Sequence, residues 1–163
     1  MAISGLVITY NEEKNIGKCI DALFEVCDEV IIVDSLSADN TVKIAEEKGA
    51  KVISQKFLGD GPQRTHGLPF CKNDWILNLD ADEFLDKDAK EFILKEKYLE
   101  GNYDAFSFRV KNFLADELID FSGWYPDHKV RFFNKKTAKP SEAKVHQKIE
   151  TTNEKKVAVH ILH

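Results

Sequence analysis

The sequence predicts an α/β fold with a mainly parallel central sheet flanked by helices and a smaller antiparallel β part in its second half. Three observations predict it. Up to residue 101, short apolar runs rich in β-branched residues alternate with helical stripes, the grammar of parallel strands joined by right-handed crossovers. After Asn102 single apolar residues alternate with polar ones, as in half-buried strands. Within the first regime the run Trp75-Ile76-Leu77-Asn78-Leu79 ends abruptly in Asp80-Ala81-Asp82-Glu83, and strand ends are where open α/β sheets hold their ligands.

The elements follow in order. Ile3 to Thr9 reads as the first strand, closed by the polar turn Tyr10-Asn11-Glu12-Glu13. Ile16, Ile20, Leu23, Phe24 and Cys27 fall on one helical stripe, which predicts a helix packed on the sheet. Glu29 to Val33 is the second strand, followed by the turn Asp34 to Asn40 and a helix from Thr41 to Lys48 with Gly49 past its end. Lys51 to Ser54 is a short third strand. After a glycine-containing loop, Pro62 is placed as the first residue of a short helix carrying Gln63, Arg64 and His66, and Pro69 ends it. Trp75 to Leu79 is the fourth strand. Asp86 caps a helix whose inner face is Phe92, Ile93 and Leu99, and Gly101 stops it.

In the second half, Phe106, Phe108 and Val110 alternate with Ser107 and Arg109, and Val130 and Phe132 with Arg131 and Phe133. These predict strands with antiparallel pairing. The turn Gly123-Trp124-Tyr125-Pro126-Asp127 between them is loaded with aromatics, which either line a sugar subsite or plug the sheet edge. Val157, Val159 and Ile161 alternate in a last strand that runs to His163, so the sequence reads as a domain truncated at its C-terminal end.

Composition narrows the function classes. With 163 residues, 43% hydrophobic and 31% charged, the chain suits one domain with a real core, spanning 1–163. A net charge of −5 with scattered Lys and Arg lacks the basic footprint of a nucleic-acid binder. Cys19, Cys27 and Cys71 have no zinc-ligand spacing and read as buried thiols of a reducing compartment. No basic leader precedes the first strand, and no apolar run nears the roughly 20 residues that span a bilayer. A cytoplasmic location follows, with room for peripheral contact at a membrane face.

Asp80 and Asp82 alternate on an extended backbone and can point to one side, offering hard oxygen ligands to a Mg²⁺ or Mn²⁺ that also holds a diphosphate. The plainer alternative is a solvated loop ahead of the next helix.

Together these stretches resemble the family 2 glycosyltransferases with the GT-A fold. The resemblance rests on Val7-Ile8-Thr9-Tyr10-Asn11-Glu12-Glu13, on Val33-Asp34-Ser35-Leu36-Ser37-Ala38-Asp39-Asn40-Thr41 and on Asp80-Ala81-Asp82-Glu83, in family order and spacing. Gly59-Asp60-Gly61-Pro62-Gln63-Arg64, the 123–127 turn, Arg131-Phe132-Phe133 and Val145-His146 resemble the branch that extends the lipopolysaccharide inner core, often by adding glucose to a heptose. The resemblance implies a nucleotide-sugar-binding half over 1–101 and an acceptor-side half over 102–163. It implies that Thr9, Tyr10 and Glu12 line the base and ribose pocket, and that Asp34 accepts a hydrogen bond from a uracil-type base. Asp80 is implied at the ribose or metal, Asp82 as a metal ligand, and Arg64 at the phosphates or sugar. A late histidine serves some members as a further metal or diphosphate contact, and His163 stands at about that place. The bland counterparts are packing for Tyr10, capping of the following helix for Asp34 and Asp39, and a solvated helix position for Arg64.

The implied reaction is inverting transfer of a hexose, with glucose first, from a UDP-sugar to a saccharide or lipid-linked saccharide acceptor. An acceptor hydroxyl attacks the anomeric carbon and a carboxylate takes its proton. The resembled branch often has Glu after Val-His, and this chain has Gln147, which leaves Asp127 and Glu142 as candidate bases. Asp127 is preferred for its aromatic neighbours, against the alternative of a simple Pro-Asp turn. Two other classes compete. A sugar-1-phosphate nucleotidyltransferase wants a basic, glycine-rich loop after the first strand, where this chain has Tyr10-Asn11-Glu12-Glu13. A nucleotide-sugar-binding module without efficient turnover fits Gln147. A glycosidase needs two carboxylates opposed around one sugar rather than a cluster at a strand end.

Overall fold

The computed structural model describes residues 2–114, 117–118 and 127–163. The described elements are β1 (Ile3–Thr9), α1 (Ile16–Phe24), β2 (Glu29–Asp34), α2 (Thr41–Glu47), β3 (Lys51–Ser54), α3 (Asp60–Gly67), β4 (Trp75–Asp80), β5 (Phe84–Leu85) and α4 (Lys87–Leu94). They continue with β6 (Ala105–Lys111), β7 (Phe113–Leu114), β8 (Glu117–Leu118), β9 (Asp127–Asn134), β10 (Lys139–Pro140), β11 (Ile149–Glu150) and β12 (Glu154–Leu162). Eight strands form one sheet in the order β3-β2-β1-β4-β9-β6-β12-β5, and β10-β11 and β7-β8 are separate two-stranded pairs.

β1 is central and parallel to both β2 and β4, so the ends of all three strands open on one edge. Its two faces feed two cores. Ile3 and Val7 join Ile16, Ile20 and Leu23 of α1 on one side, while Leu6 joins Ile31, Val33 and Ile76 on the other. Burial on both faces explains why these strands are continuously apolar rather than alternating. α3 lies so close on the second face that a Cβ at Gly67 would stand 2.6 Å from Leu6 Cδ1 and 2.7 Å from Val33 Cγ2. Glycine sets that approach.

The structure departs from the sequence reading in four places. α3 begins at Asp60, two residues ahead of Pro62, because a helix's first turn leaves N–H groups without intrahelical partners and tolerates proline there. Gly59, at φ +112, turns the chain into it, and the Asp60 and Gly61 N–H groups donate to the Lys144 and Ala143 carbonyls at 2.8 and 3.0 Å. Pro69 sits inside a following 3₁₀ turn, Leu68–Phe70. α4 is capped by Asp86, whose Oδ1 accepts from Ala89 N at 2.8 Å, but it ends at Leu94. Glu96, at φ +53, breaks it, so Leu99 is exposed and Tyr98 takes the inner position against Trp75 and Phe132.

The third departure is in β9. It pairs antiparallel with β6 as expected and also with β4, which the sequence reading did not foresee, and Phe106 and Ser107 face Phe132 and Val130, leaving Arg131 as the extra residue of a bulge. Val130 and Phe132 therefore pack on opposite cores instead of sharing a face, and Arg131 is re-aimed. The last is β12, which runs parallel to β6 and antiparallel to β5. The second half thus extends the main sheet. The aromatic turn at 123–126 lies outside the described residues.

Candidate functional site

Two cavities meet at the C-terminal end of β4. The first, about 590 Å³, is lined by Ile8, Thr9, Tyr10 and Glu12 at and past the end of β1, Ser35 after β2, Lys56 and Phe57 after β3, and Asp80, Ala81 and Asp82 at and past the end of β4. The second, about 550 Å³, is bounded by Arg64, Asp80, Asp127, Arg131, His146 and Gln147 among others. Asp80 is common to both.

The loops that wall the first cavity are stitched to each other. Asn11 N donates to Ser37 Oγ at 2.8 Å, and Asn11 Oδ1 accepts from Ala38 N at 2.8 Å. Glu12 N donates to Thr41 Oγ1 at 2.8 Å, and Glu13 Oε2 accepts from Asn40 N at 3.1 Å. Asn11 takes the left-handed conformation, φ +50, that this turn requires and asparagine tolerates. Gln63, fully buried on α3, fixes the third wall: its Nε2 donates to Gln55 O at 2.9 Å and Ser35 Oγ at 3.2 Å, and its Oε1 accepts from Leu58 N at 3.1 Å. Residues 55–58, with Lys56 and Phe57, are thereby held beside Tyr10.

Four of the residues expected at a nucleotide sugar, Thr9, Tyr10, Glu12 and Asp80, border this cavity; Asp34 and Arg64 do not. Tyr10 is 60% exposed and Phe57 53%, so two solvent-exposed aromatic residues line this cavity. Thr9 Oγ1 is buried without a hydrogen-bond partner among the described residues. Asp34 lies behind the wall: Oδ2 accepts from Ser37 N at 2.9 Å and Oδ1 from Ser37 Oγ at 2.5 Å. Asp39 accepts from Thr41 N and Thr41 Oγ1 at 2.9 and 2.5 Å, and the hydroxyl bond holds its carboxyl below the ordinary value. Asp39 thus closes a turn onto Thr41 just ahead of α2, whose N-cap position is Asn40, rather than capping the helix.

The acid cluster is split by its partners. Asp80 is gripped from both sides: Arg64 Nη2 from α3 pairs with Oδ1, and Arg131 Nη2 from the β9 bulge reaches Oδ2 at 3.4 Å. Burial opposes its ionisation, but the two guanidiniums outweigh burial and hold its pKa below the usual range. Arg64 also donates to Asn78 Oδ1 at 2.5 Å. Glu83 is 1% exposed and forms a two-point pair with Arg131, Nε to Oε2 at 2.9 Å and Nη2 to Oε1 at 2.7 Å. Its Oε2 also accepts from Asp80 N at 3.0 Å, closing the turn 80–83 whose return bond is Glu83 N to Asp80 O at 3.0 Å. Glu83 and Arg131 are the positioning pair that the sequence left unassigned; their pairing spans 48 positions, and the bulge that makes it has no local signature.

Asp82 instead faces outward, and His163 comes to meet it, Nε2 to Oδ2 at 3.1 Å. That hydrogen bond lowers the Asp82 pKa and raises the His163 pKa above 6.5. His160 points elsewhere, its Nδ1 3.1 Å from Asp86 Oδ2, as alternation along β12 requires. Among the described residues no three carboxylate, imidazole or thiol groups converge on one point. One carboxylate and one imidazole nonetheless suit a Mg²⁺- or Mn²⁺-type ion that takes its remaining ligands from phosphate oxygens and water, so the donor set fits the expected cofactor.

Of the two candidate bases, Asp127 edges the second cavity near Lys129, at 4.0 Å, whereas Glu142 is exposed and borders neither cavity. Gln147 also faces the second cavity, with Oε1 buried and unpartnered among the described residues. Beside it, burial and the charges of Lys156 and Arg109 push the His128 pKa down. The segment carrying Gln147 is pinned on α3, since a Cβ at Gly61 would fall 1.8 Å from the Ser141 carbonyl oxygen.

A parallel sheet with a carboxylate-edged cavity at its strand ends is the architecture of α/β nucleotide-binding proteins. Residues 4–150 match the family described as Glycosyl transferase family 2, and the chain belongs to that family. It is 48% identical over 91 residues to an uncharacterized glycosyltransferase of Rickettsia felis, covering 56% of this chain and 32% of that protein. It is 36% identical over 98 residues to the lipopolysaccharide core biosynthesis glycosyltransferase LpsC of Rhizobium meliloti, covering 57% of this chain and 36% of LpsC. The chain thus spans about a third of the length of these relatives. Its fold is shared with S. aureus TarS, solved with UDP-GlcNAc, at TM-score 0.69 and 19% identity over 100% of this chain and 58% of that one. A second neighbour is glucosyl-3-phosphoglycerate synthase of Mycobacterium tuberculosis, solved with Mn²⁺, UDP and glucosyl-3-phosphoglycerate. There the TM-score is 0.52 at 28% identity, covering 69% of this chain and 43% of that one. The expected family and GT-A type fold are therefore met, and no helix among the described residues is long and apolar enough to cross a membrane.

Proposed function

We propose that the chain is the catalytic domain of an inverting glycosyltransferase that moves a hexose, glucose first, from a UDP-sugar to a saccharide acceptor of the lipopolysaccharide-core kind. The observation that carries this reading is the junction at Asp80: a nucleotide-sized cavity and a second polar cavity share one carboxylate. The base stacks at Tyr10 and Phe57, the ribose lies against Thr9 and Glu12, and the diphosphate lies at Asp82 and His163. These two residues would hold a divalent cation, which when bound would neutralise charge on the departing diphosphate. Arg64 and Arg131 keep Asp80 ionised and aimed at the junction. The acceptor occupies the second cavity, and Asp127 takes the proton from its hydroxyl as that oxygen attacks the anomeric carbon opposite the leaving group.

The test is incubation of the chain with UDP-glucose, Mn²⁺ and a truncated core saccharide, with the product anomer read by NMR. β-linked product that disappears in Asp127→Asn supports the reading. A folded, UDP-binding chain that neither transfers nor slowly hydrolyses the donor favours instead a nucleotide-sugar-binding domain, which the amide at Gln147 supports.

A further inference from the structure

His163 is held by more than Asp82. β6 and β12 run parallel with Leu162 opposite Lys111, and the ladder continues one step past both strands. His163 N donates to the Lys111 carbonyl at 2.9 Å, and Phe113 N donates to the His163 carbonyl at 3.0 Å. In a parallel ladder these two bonds bracket one residue on the neighbouring strand, so Asn112 stands directly across from His163. The side chains meet there: Asn112 Oδ1 is 2.9 Å from His163 Nδ1, while Nε2 on the other edge of the ring is 3.1 Å from Asp82 Oδ2. An amide oxygen only accepts, so the bond to Asn112 requires a proton on Nδ1.

We infer that Asn112 is a positioning residue that holds His163 in its Nδ1–H tautomer, leaving the Nε2 lone pair for a divalent cation shared with Asp82. This rests on the metal-dependent reading above. Asp82 is an acceptor as well, so the metal-free ring, flanked at both nitrogens, is satisfied by a proton on each. A cation at Asp82 displaces the Nε2 proton and Asn112 keeps the other on Nδ1; without that acceptor the remaining proton is free to shift to Nε2, where it donates to Asp82 and closes the site. Leucine at 112 has the same size and no acceptor; aspartate keeps one. Outer-shell partners of this kind typically change metal affinity by about 10–100-fold.

The test uses the whole chain labelled with ¹⁵N, at about pH 9, above the ordinary imidazole range. Two-bond ¹H–¹⁵N correlations read the His163 tautomer in the free protein and with UDP and Mg²⁺. Titration calorimetry reads Mn²⁺ affinity in the presence of UDP. We expect an Nδ1–H ring in the wild type with UDP and Mg²⁺, Mn²⁺ affinity about 10–100-fold weaker in Asn112→Leu, and affinity within a few-fold of wild type in Asn112→Asp. Melting temperature and metal-free UDP affinity should match wild type in both variants. An Nε2–H ring in the wild type with UDP and Mg²⁺ overturns the inference, as does an Asn112→Leu protein with wild-type Mn²⁺ affinity. If the wild type binds UDP with no Mn²⁺ uptake, the metal reading fails, and the tautomer of the same sample still decides the role of Asn112.

Discussion

Removing the Arg131 guanidinium isolates the energetics of the buried pair. In Arg131→Met the hydrophobic volume is roughly kept, while Glu83, 1% exposed, loses both bonds from the guanidinium and retains only the Asp80 N–H. Breaking a buried pair from one side costs about 3–5 kcal/mol, because a desolvated carboxylate is left without its counter-charge. Against a total stability of about 5–15 kcal/mol, that is a third or more of the whole. The assay is urea unfolding at neutral pH, with Glu83→Gln/Arg131→Met alongside. Arg131→Met should lose about 3–5 kcal/mol, and the double variant, which leaves no buried charge unpaired, should recover most of it. A loss under about 1 kcal/mol at neutral pH would mean the pair behaves as a solvated surface bridge, refuting the argument.

Three further outcomes follow from the same geometry. Gly61→Ala drives a Cβ into the Ser141 carbonyl, so it should cost about 1–3 kcal/mol by overpacking and raise amide exchange around Lys144, whereas unchanged exchange would contradict the close contact. His163, titrated by NMR without metal, should have a midpoint above 6.5 that falls back in Asp82→Asn. Because the folded pKa is raised, the pair's stabilisation is full in mild acid and fades as pH climbs through that midpoint; an unshifted midpoint would show that the two side chains do not meet. Burial pushes the Cys19 and Cys71 thiols up to about 12, and Cys27 up as well, so none should react with a thiol reagent in native buffer while all three react in denaturant.

What the sequence made legible was what local pattern encodes. β1 and β3 match their apolar runs end to end, and β2 and β4 match within one residue, because strands buried on both faces write themselves as continuous apolar segments. Asp86 announced its helix by cap chemistry. The misses share a cause, namely dependence on partners far along the chain. The bulge that turns Arg131 toward Glu83 arises from pairing with Phe106 and Ser107, and the parallel setting of β12 depends on where β6 lies. Reading Asp80, Asp82 and Glu83 as one cluster was too coarse, since the fold buries Glu83, clamps Asp80 and leaves Asp82 facing His163. Lys56 and Phe57 entered the cavity wall without a sequence signal, because only the tertiary bonds of Gln63 bring that loop beside Tyr10.

The central claim is a diphosphate site at the end of β4, and calorimetric titration of UDP with Mn²⁺, with EDTA, and into Asp82→Ala tests it most directly. UDP binding should weaken when metal is withdrawn and lose its metal dependence in Asp82→Ala, with GDP bound less well. A folded chain that binds neither nucleotide, or binds UDP equally with and without Asp82, would contradict it.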